Sequence, residues 1–236
     1  MKIDEIVDDL VSANRILYAE GVVDGFGHVS ARHPADPARF LLSRSMAPAL
    51  VTNDDVMEFD LDANPVDASG RRSYLERYIH SEIYRVRPDV QAIVHSHSPA
   101  LIPFGVTATR LKPVFHMTGF LGVPAPVFEI RVAADTETDM LIRTPALGAA
   151  LAATLGQAPF ALMRGHGAVA VGHSIKQVVY RAIYAEVNAR VQSEAARLGE
   201  VTYLTEGEAA SAAAANDAQL DRPWELWKRR ILGTNP

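Results

Sequence analysis

An apolar run that ends in two histidines is the feature that most constrains this chain. Residues 90–99 read VQAIVHSHSP, and their β-branched residues predict a buried strand that stops before Pro99. In an extended strand, residues i and i+2 point to the same face and lie roughly 7 Å apart along the chain. His95 and His97 therefore aim at the same point, with Ser96 on the reverse side.

The other secondary-structure signals predict one mixed, largely antiparallel sheet with helices on its faces. An amphipathic helix begins near Ile3 and ends at Gly21. Glycines flank His166 in FALMRGHGAVAVG, which predicts a hairpin over residues 160–172. Further strands are predicted at 27–34 and 39–45, a strand followed by a turn at 56–66, and further helices at 73–86, 143–156 and 173–199. We expect a single domain over residues 1–205, and an Ala-rich tail at 206–236 that combines a mobile linker with a helix docking on, or capping, that domain.

Composition excludes several classes of function. The chain of 236 residues has a formal charge of −5 and shows no basic patch, so nothing favours a nucleic-acid partner. Cysteine is absent, so metal ligands would have to be His, Asp or Glu. The acidic amphipathic N-terminus does not resemble a signal peptide, and no apolar segment approaches the roughly 20 residues that span a bilayer. We therefore expect a cytoplasmic protein without a membrane partner.

Three histidines form a candidate metal site. An isolated His-x-His pair is equally compatible with imidazoles bonded to backbone or water. His166 changes this balance, because a histidine between two glycines is not a usual core residue. With His95 and His97 it gives three imidazoles, the number expected when a catalytic metal keeps an open position.

Glu76 is the candidate fourth member of this site. Leu75 and Ile79 predict that its helix faces inward there, where an unpaired carboxylate is costly. A buried glutamate near a cation can be a ligand or a general base, and His80 lies on the same helical face, where it could orient the carboxylate. The alternative is a surface glutamate paired with Arg77 or His80.

Together these motifs resemble the class II aldolase/adducin family. The resemblance rests on Glu76 in YLERYIH, the histidine pair in IVHSHSP nineteen residues later, and His166 in RGHGAVAVG. The loops GFGHVSAR and LLSRSMAP are also similar to family turns, so the likeness covers roughly residues 5–200.

The resemblance implies a three-layer α/β/α fold whose central mixed sheet is mainly antiparallel. It also implies a fourfold-symmetric homotetramer with active sites between subunits. Each subunit would bind one divalent ion through His95, His97, His166 and Glu76; the expected ion is Zn²⁺ or Mn²⁺, and Mg²⁺, Fe²⁺ and Co²⁺ are also compatible.

Three positions depart from the sugar-phosphate aldolases of the family, which hold phosphate with an Asn and a Ser-Ser pair. The corresponding residues here are His28, Tyr74 and Leu75, which are poorly suited to surround a phosphate dianion. The chain is instead most similar to the branch that decarboxylates hydroxylated aromatic dicarboxylates, such as hydroxyphthalates or a hydroxypyridine-dicarboxylate.

The resulting hypothesis is a metal-dependent carbon–carbon lyase that decarboxylates a small anionic aromatic substrate. Glu76 or His28 would be the acid/base, and His116 would act across a subunit interface. Ser43, Arg44 and Ser45 would bind a second carboxylate, although a surface ion pair explains Arg44 equally well. The alternatives are an aldolase for an unphosphorylated hydroxy acid, keto acid or sugar, and a non-catalytic adducin-like module.

Overall fold

A seven-stranded sheet forms the centre of the molecule. The computed structural model describes residues 2–134 and 137–233. The strands are β1 (His28–Arg32), β2 (Arg39–Ser43), β3 (Val56–Asp60), β4 (Ala92–Ser96), β5 (Val127–Phe128), β6 (Phe160–Met163) and β7 (Gly167–Gly172). Their order across the sheet is β3-β2-β1-β4-β7-β6-β5. All neighbours are antiparallel except β5 and β6, so the predicted mixed, mainly antiparallel sheet is confirmed.

Helices cover both faces of this sheet. They are α1 (Ile3–Ala19), α2 (Tyr78–Val86), α3 (Ile102–Val106), α4 (Ile130–Ala134), α5 (Pro145–Leu155), α6 (Ile175–Leu198), α7 (Glu206–Asp217) and α8 (Asp221–Ile231). One apolar cluster joins α1, α6 and α8 to the sheet, and a second joins α2 and α5 to its other face. The predicted three-layer α/β/α architecture is therefore confirmed.

Alternation along the strands assigns each side chain to one of these two layers. In β4, Val94 belongs to the cluster with α1 and α6, whereas Ile93 belongs to the cluster with α2 and α5. His95 follows the parity of Ile93, so it lies on the face covered by α2. In β1, Val29 points to the α1 side, so the side chains of His28 and Ser30 point to the α2 side.

The predicted start of one helix, and the apolar row assigned to it, need correction. The helix expected at residues 73–86 begins only at Tyr78, because residues 75–77 form a turn before it. Leu75 is 57% exposed, so the inward-facing row expected to include it starts at Ile79. The N-cap of α5 is Thr144, as predicted, and its side chain accepts a hydrogen bond from the Leu147 amide.

The C-terminal segment is more ordered than the sequence indicated. The Ala-rich stretch forms α7 rather than a mobile linker, and it begins with a capping box on Thr205. Gly119 permits this packing, because a Cβ there would lie 2.3 Å from the carbonyl oxygen of Ala209. Helix α8 buries Trp224 and Trp227 in the cluster with α1 and α6. Part of the predicted tail, residues 234–236, lies outside the described residues. Within the described part of the chain, no helix has the length and apolar character needed to cross a bilayer.

Candidate metal centre and adjoining cavity

Strand pairing brings His95 and His166 to the same edge of the sheet. Strand β4 ends at Ser96, and His97 follows it directly. On its other side β4 pairs with β7, with Ser96 opposite Ala168, so the turn that precedes β7 lies beside the histidine pair. His166 is the last residue of that turn.

Two glycines make this close approach feasible. Gly165 has φ +62°, which permits the tight β6–β7 turn. Gly167 lies so close to β4 that a Cβ there would be 2.1 Å from the carbonyl oxygen of Ser96. Any larger residue at position 167 would push β7, and His166 with it, away from β4.

The three imidazoles converge through their Nε2 atoms. His97 Nε2 lies 3.1 Å from His95 Nε2 and 3.1 Å from His166 Nε2. The Glu76 carboxylate completes the group, since its oxygens are 3.6 Å from His95 Nε2 and 3.5 Å from His166 Nε2. One ligand atom from each of the four residues lies within 4.8 Å of those of the other three. The structure thus brings together all four residues predicted to form the metal site.

The chemistry of this group fits a divalent cation. His95 Nδ1 donates to the carbonyl oxygen of Ala168 at 3.0 Å, so Nε2 is the ring nitrogen left to bind a cation in the cluster. His97 Nε2 carries at most one hydrogen, so it can donate a hydrogen bond to only one of the two neighbouring nitrogens. Nitrogens bound to zinc at about 2.0–2.1 Å in tetrahedral geometry are about 3.3 Å apart, close to the spacing seen here.

Glu76 is a buried carboxylate in the turn that precedes α2. Its Oε1 accepts a hydrogen bond from the Ile142 amide at 2.9 Å, which fixes the side chain. Burial by itself raises the pKa of Glu76, but hydrogen bonds and electrostatic attraction from His166 and His95 outweigh burial and hold the pKa far below its usual value. Burial and the neighbouring imidazoles also lower the pKa of His97, to about 4. The cluster therefore combines an anionic carboxylate with a neutral imidazole at His97 at pH 7.

A cavity of about 370 Å³ opens beside the cluster. Its walls are mainly apolar and include the side chains of Phe26, Tyr74 and Leu75, while Glu76 and His97 contribute to its lining. The Tyr74 hydroxyl donates to the carbonyl oxygen of Met46 at 2.7 Å, so the phenol oxygen is engaged on the protein side. The two residues that replace the family's serine pair thus give the cavity an apolar wall.

His28 lines the same cavity from β1, and its ring centroid is 5.1 Å from that of His95. His28 Nδ1 lies 2.6 Å from His80 Nε2, and His80 Nδ1 lies 2.6 Å from Ser30 Oγ. The expectation that His80 orients Glu76 is therefore wrong, because both of its ring nitrogens bond elsewhere.

The Tyr84 hydroxyl extends this row, at 2.8 Å from Ser30 Oγ. Sequence reasoning missed Ser30 and Tyr84. The available signal was spacing. His28 and Ser30 are two residues apart on β1, and His80 and Tyr84 are four residues apart on α2, so each pair lies on one face of its element.

The residues predicted to bind a second carboxylate lie at the end of β2 and just beyond it. Ser45 lines the cavity. Ser43 is buried, and its hydroxyl lies 3.2 Å from that of Tyr74. The Arg44 Nε donates to Asp55 at 2.6 Å, as the ion-pair alternative expects. Arg44 does not line this cavity, so its role in substrate binding stays a prediction.

His116 lies apart from the cluster. It begins a 3₁₀ segment, His116–Leu121, and its side chain is exposed to solvent. Its carbonyl oxygen accepts a hydrogen bond from Asn216 of α7. Its predicted action across a subunit interface is not tested by a single chain and stays a prediction.

Comparison with known proteins identifies the family. The model of the class II aldolase and adducin N-terminal domain matches residues 8–193. The decarboxylase tropJ of Talaromyces stipitatus is 38% identical, over 95% of this chain and 93% of its own length. The 3,4-dihydroxyphthalate decarboxylase of Arthrobacter keyseri is 29% identical, over 72% of this chain and 71% of its own.

Solved structures agree with this result. The L-fuculose 1-phosphate aldolase of Glaciozyma antarctica superposes with a TM-score of 0.78 at 25% identity, covering 97% of this chain and 90% of that one. Relatives that are decarboxylases and aldolases support the prediction of a lyase. From the sequence match and the shared architecture, we conclude that this chain belongs to the class II aldolase and adducin N-terminal domain family.

Proposed function

We propose that this protein is a metal-dependent decarboxylase of a hydroxylated aromatic carboxylate, such as a hydroxyphthalate. The observation that carries the proposal is the position of the His/Glu cluster at the edge of a cavity walled by Phe26, Tyr74 and Leu75. Aromatic and aliphatic walls match a planar apolar ring better than they match a phosphorylated sugar. The decarboxylase relatives support the same class of reaction.

His95, His97 and His166 would hold the ion, with Glu76 as fourth ligand or as the group that substrate displaces. When bound, a divalent cation would supply Lewis-acid stabilisation of negative charge on substrate oxygen. The native ion could be Zn²⁺, Mn²⁺ or another divalent metal, because imidazole and carboxylate ligands accept several of them.

Glu76 is the proposed proton carrier. Its carboxylate would accept the proton of the substrate's phenolic hydroxyl and return it to the ring carbon that bears the carboxylate. The bond between that carbon and the carboxylate then breaks, CO₂ leaves, and the electron pair of the broken bond restores the aromatic ring. The phenolate product finally takes a proton from solvent.

The remaining residues would bind and orient the ring. Tyr74 and Phe26 would contact its faces or edges and exclude water, while Ser45 would donate to a substrate carboxylate. We also propose the homotetramer, with His116 and the adjoining 3₁₀ segment near a subunit boundary. Light scattering of the purified protein tests this oligomeric state.

The direct test is incubation of the metal-loaded protein with 3,4-dihydroxyphthalate and with simpler hydroxyphthalates. We expect one equivalent of CO₂ for each dihydroxybenzoate or hydroxybenzoate formed, with an intact ring seen by mass spectrometry. His97→Ala is the matched inactive control. Release of an aldehyde together with a pyruvate-like fragment from a hydroxy keto acid, without CO₂ from any aromatic acid, would favour the aldolase alternative.

The non-catalytic alternative has a separate test. Protein stripped with a chelator should rebind one divalent ion per chain from a solution of Zn²⁺ or Mn²⁺. A chain that rebinds none of these ions would favour an adducin-like module and would contradict the proposal.

A further inference from the structure

A row of four hydrogen-bonding side chains runs from the cavity into the protein interior. His28, His80, Ser30 and Tyr84 are joined by contacts of 2.6, 2.6 and 2.8 Å. None of the four side chains is more than 4% exposed, so water does not compete for these bonds. Each contact contains one hydrogen, and its direction depends on the contacts on either side.

The phenol at the inner end sets this direction. Among the residues that the structure describes, Ser30 is the only group bonded to the Tyr84 hydroxyl. A phenol that accepted from Ser30 would leave its own hydrogen buried without an acceptor, at a cost of about 1–3 kcal/mol. The Arg32 guanidinium lies 4.7 Å above the Tyr84 ring and has no acceptor atom to offer. Tyr84 therefore donates to Ser30.

The direction of hydrogen-bond donation is then fixed at the other two contacts of the row. Having accepted from Tyr84, the Ser30 hydroxyl donates to His80 Nδ1, which must carry a lone pair. Neutral His80 therefore has its hydrogen on Nε2 and donates it to His28 Nδ1. Nδ1 of His28 is then an acceptor, so the hydrogen of its neutral ring is on Nε2.

The second ring nitrogen of His28, Nε2, is available to a molecule bound in the cavity. His28 is one of the cavity-lining residues, and its Nε2 has no hydrogen-bond partner among the described side chains and backbone groups. An N–H held at this place is suited to an anionic oxygen. The metal cluster lies on the same side, since the ring of His95 is 5.1 Å away.

We propose that Tyr84, Ser30 and His80 are positioning residues that hold His28 as the Nε2–H tautomer, so that His28 binds a carboxylate or phenolate oxygen of the substrate as a hydrogen-bond donor and does not act as a base. The part of this proposal that concerns substrate rests on the proposed function. The tautomer itself is a property of the chain alone.

The row also argues against His28 as a proton source. If Nε2 gave up its hydrogen, the row could keep the His28 ring neutral only by moving one proton at each contact, which would place a hydrogen on His28 Nδ1 and leave a tyrosinate at Tyr84. Burial raises the pKa of Tyr84 well above its usual value, so this end state is unfavourable. The proton that reaches the ring carbon then has to come from another group, such as Glu76.

Neutron diffraction from deuterated crystals of the zinc-loaded protein at pH 7 tests the tautomer. We expect deuterium on Nε2 of His28 and His80, none on either Nδ1, and a Tyr84 deuterium directed at Ser30. Deuterium on Nδ1 of His28, alone or together with Nε2, would overturn the proposal. This result does not depend on any catalytic activity.

Binding of phthalate, which lacks the hydroxyl group needed for turnover, tests the donor role by calorimetry. His28→Gln keeps an N–H near the position of Nε2 and should bind within about threefold of wild type, whereas His28→Asn should bind at least tenfold more weakly. Tyr84→Phe keeps the ring but frees the direction of the row, and we expect a three- to tenfold loss. Equal losses in the Gln and Asn variants would overturn the donor role. If wild type does not bind phthalate, the proposed substrate class fails, and the neutron map still decides the tautomer.

Discussion

His28 and His95 lie directly opposite each other on adjacent antiparallel strands, with ring centroids 5.1 Å apart. One ring belongs to the candidate metal cluster, and the other lines the cavity and is bonded to the interior through His80. A single strand pair thus fixes the spacing between the group that would hold the ion and the group that would contact the substrate. Four predictions follow the consequences of this arrangement.

Replacement of His97 by alanine should remove metal and activity together. His97 Nε2 lies 3.1 Å from Nε2 of both other imidazoles, so its loss removes one of the three ring nitrogens and leaves only His95, His166 and Glu76 to hold the ion. The side chain is only partly buried, so we expect the free energy of unfolding of the metal-free protein to change by less than about 1 kcal/mol. Metal analysis and thermal unfolding check both parts, with the exposed His116→Ala as a control that keeps its metal. A His97→Ala protein with full metal content would disprove the ligand assignment.

Glu76→Gln should separate metal binding from turnover. The amide oxygen of Gln can still accept from the Ile142 amide, so the side chain should keep its position. The amide cannot carry a proton between the substrate hydroxyl and the ring carbon, and we expect kcat to fall at least about 100-fold, the lower range for loss of a general acid/base. Metal content should stay above half of wild type. Full activity of this variant would show that the acid/base assignment is wrong.

Gly167→Ala should disrupt the candidate site through the backbone. The added Cβ would meet the Ser96 carbonyl oxygen at 2.1 Å, so β7 must move away from β4 and carry His166 with it. We expect a loss of about 2–4 kcal/mol in unfolding free energy, in the range for severe steric conflicts, together with weaker metal binding. Gly207→Ala is the matched control, because nothing lies within 4 Å of its Cβ position and alanine favours helix α7. If both variants have wild-type stability, the close approach of β7 to β4 is not a constraint.

The metal-free protein should lose stability as the pH falls below 6.5. Burial, followed by electrostatic repulsion from His95, lowers the pKa of His80 from 6.5 to about 3. Between these values the unfolded chain binds a proton that the folded chain does not, so the unfolding free energy falls as the pH decreases. His80 alone should account for about 1–2 kcal/mol between pH 6.5 and pH 5, from about 1.4 kcal/mol per unit.

Denaturant titrations at several pH values measure this slope. His80→Gln should be less stable than wild type at pH 7, because it breaks the bonds to His28 and Ser30. Its unfolding free energy should, however, depend less steeply on pH, by close to one proton, or about 1.4 kcal/mol per pH unit. The exposed His116→Gln should keep the wild-type slope. An unchanged slope in His80→Gln would mean that His80 is protonated in the folded protein.

Much of the fold was predictable because its signals are local. The β-branched run before His95, the Gly-His-Gly turn and the Thr144 cap each act within a few residues, and each forms as expected. The start of α2 was not predictable from periodicity, because the turn at residues 75–77 places Glu76 by its bond to Ile142, which is 66 residues away in sequence.

The structure of the Ala-rich tail also depends on contacts with residues that are distant in sequence. Its low complexity indicated a mobile linker, but alanine favours a helix and packing stabilises that helix. Gly119 leaves room for the backbone of α7, and α8 buries two tryptophans in the core. Isolated short helices are marginal in water, so tertiary contacts decide whether such a segment is ordered.

The sequence by itself determined which ligand atoms are available: imidazole and carboxylate without thiolate, two of the histidines on one strand face and a third between glycines. Only the tertiary structure decided that Glu76 joins this group, that His80 bonds to His28 rather than to Glu76, and that Tyr84 terminates the row. The physical reason is that strand and turn geometry depend on neighbouring residues, whereas the partner of a buried polar atom depends on which distant segments pack against it.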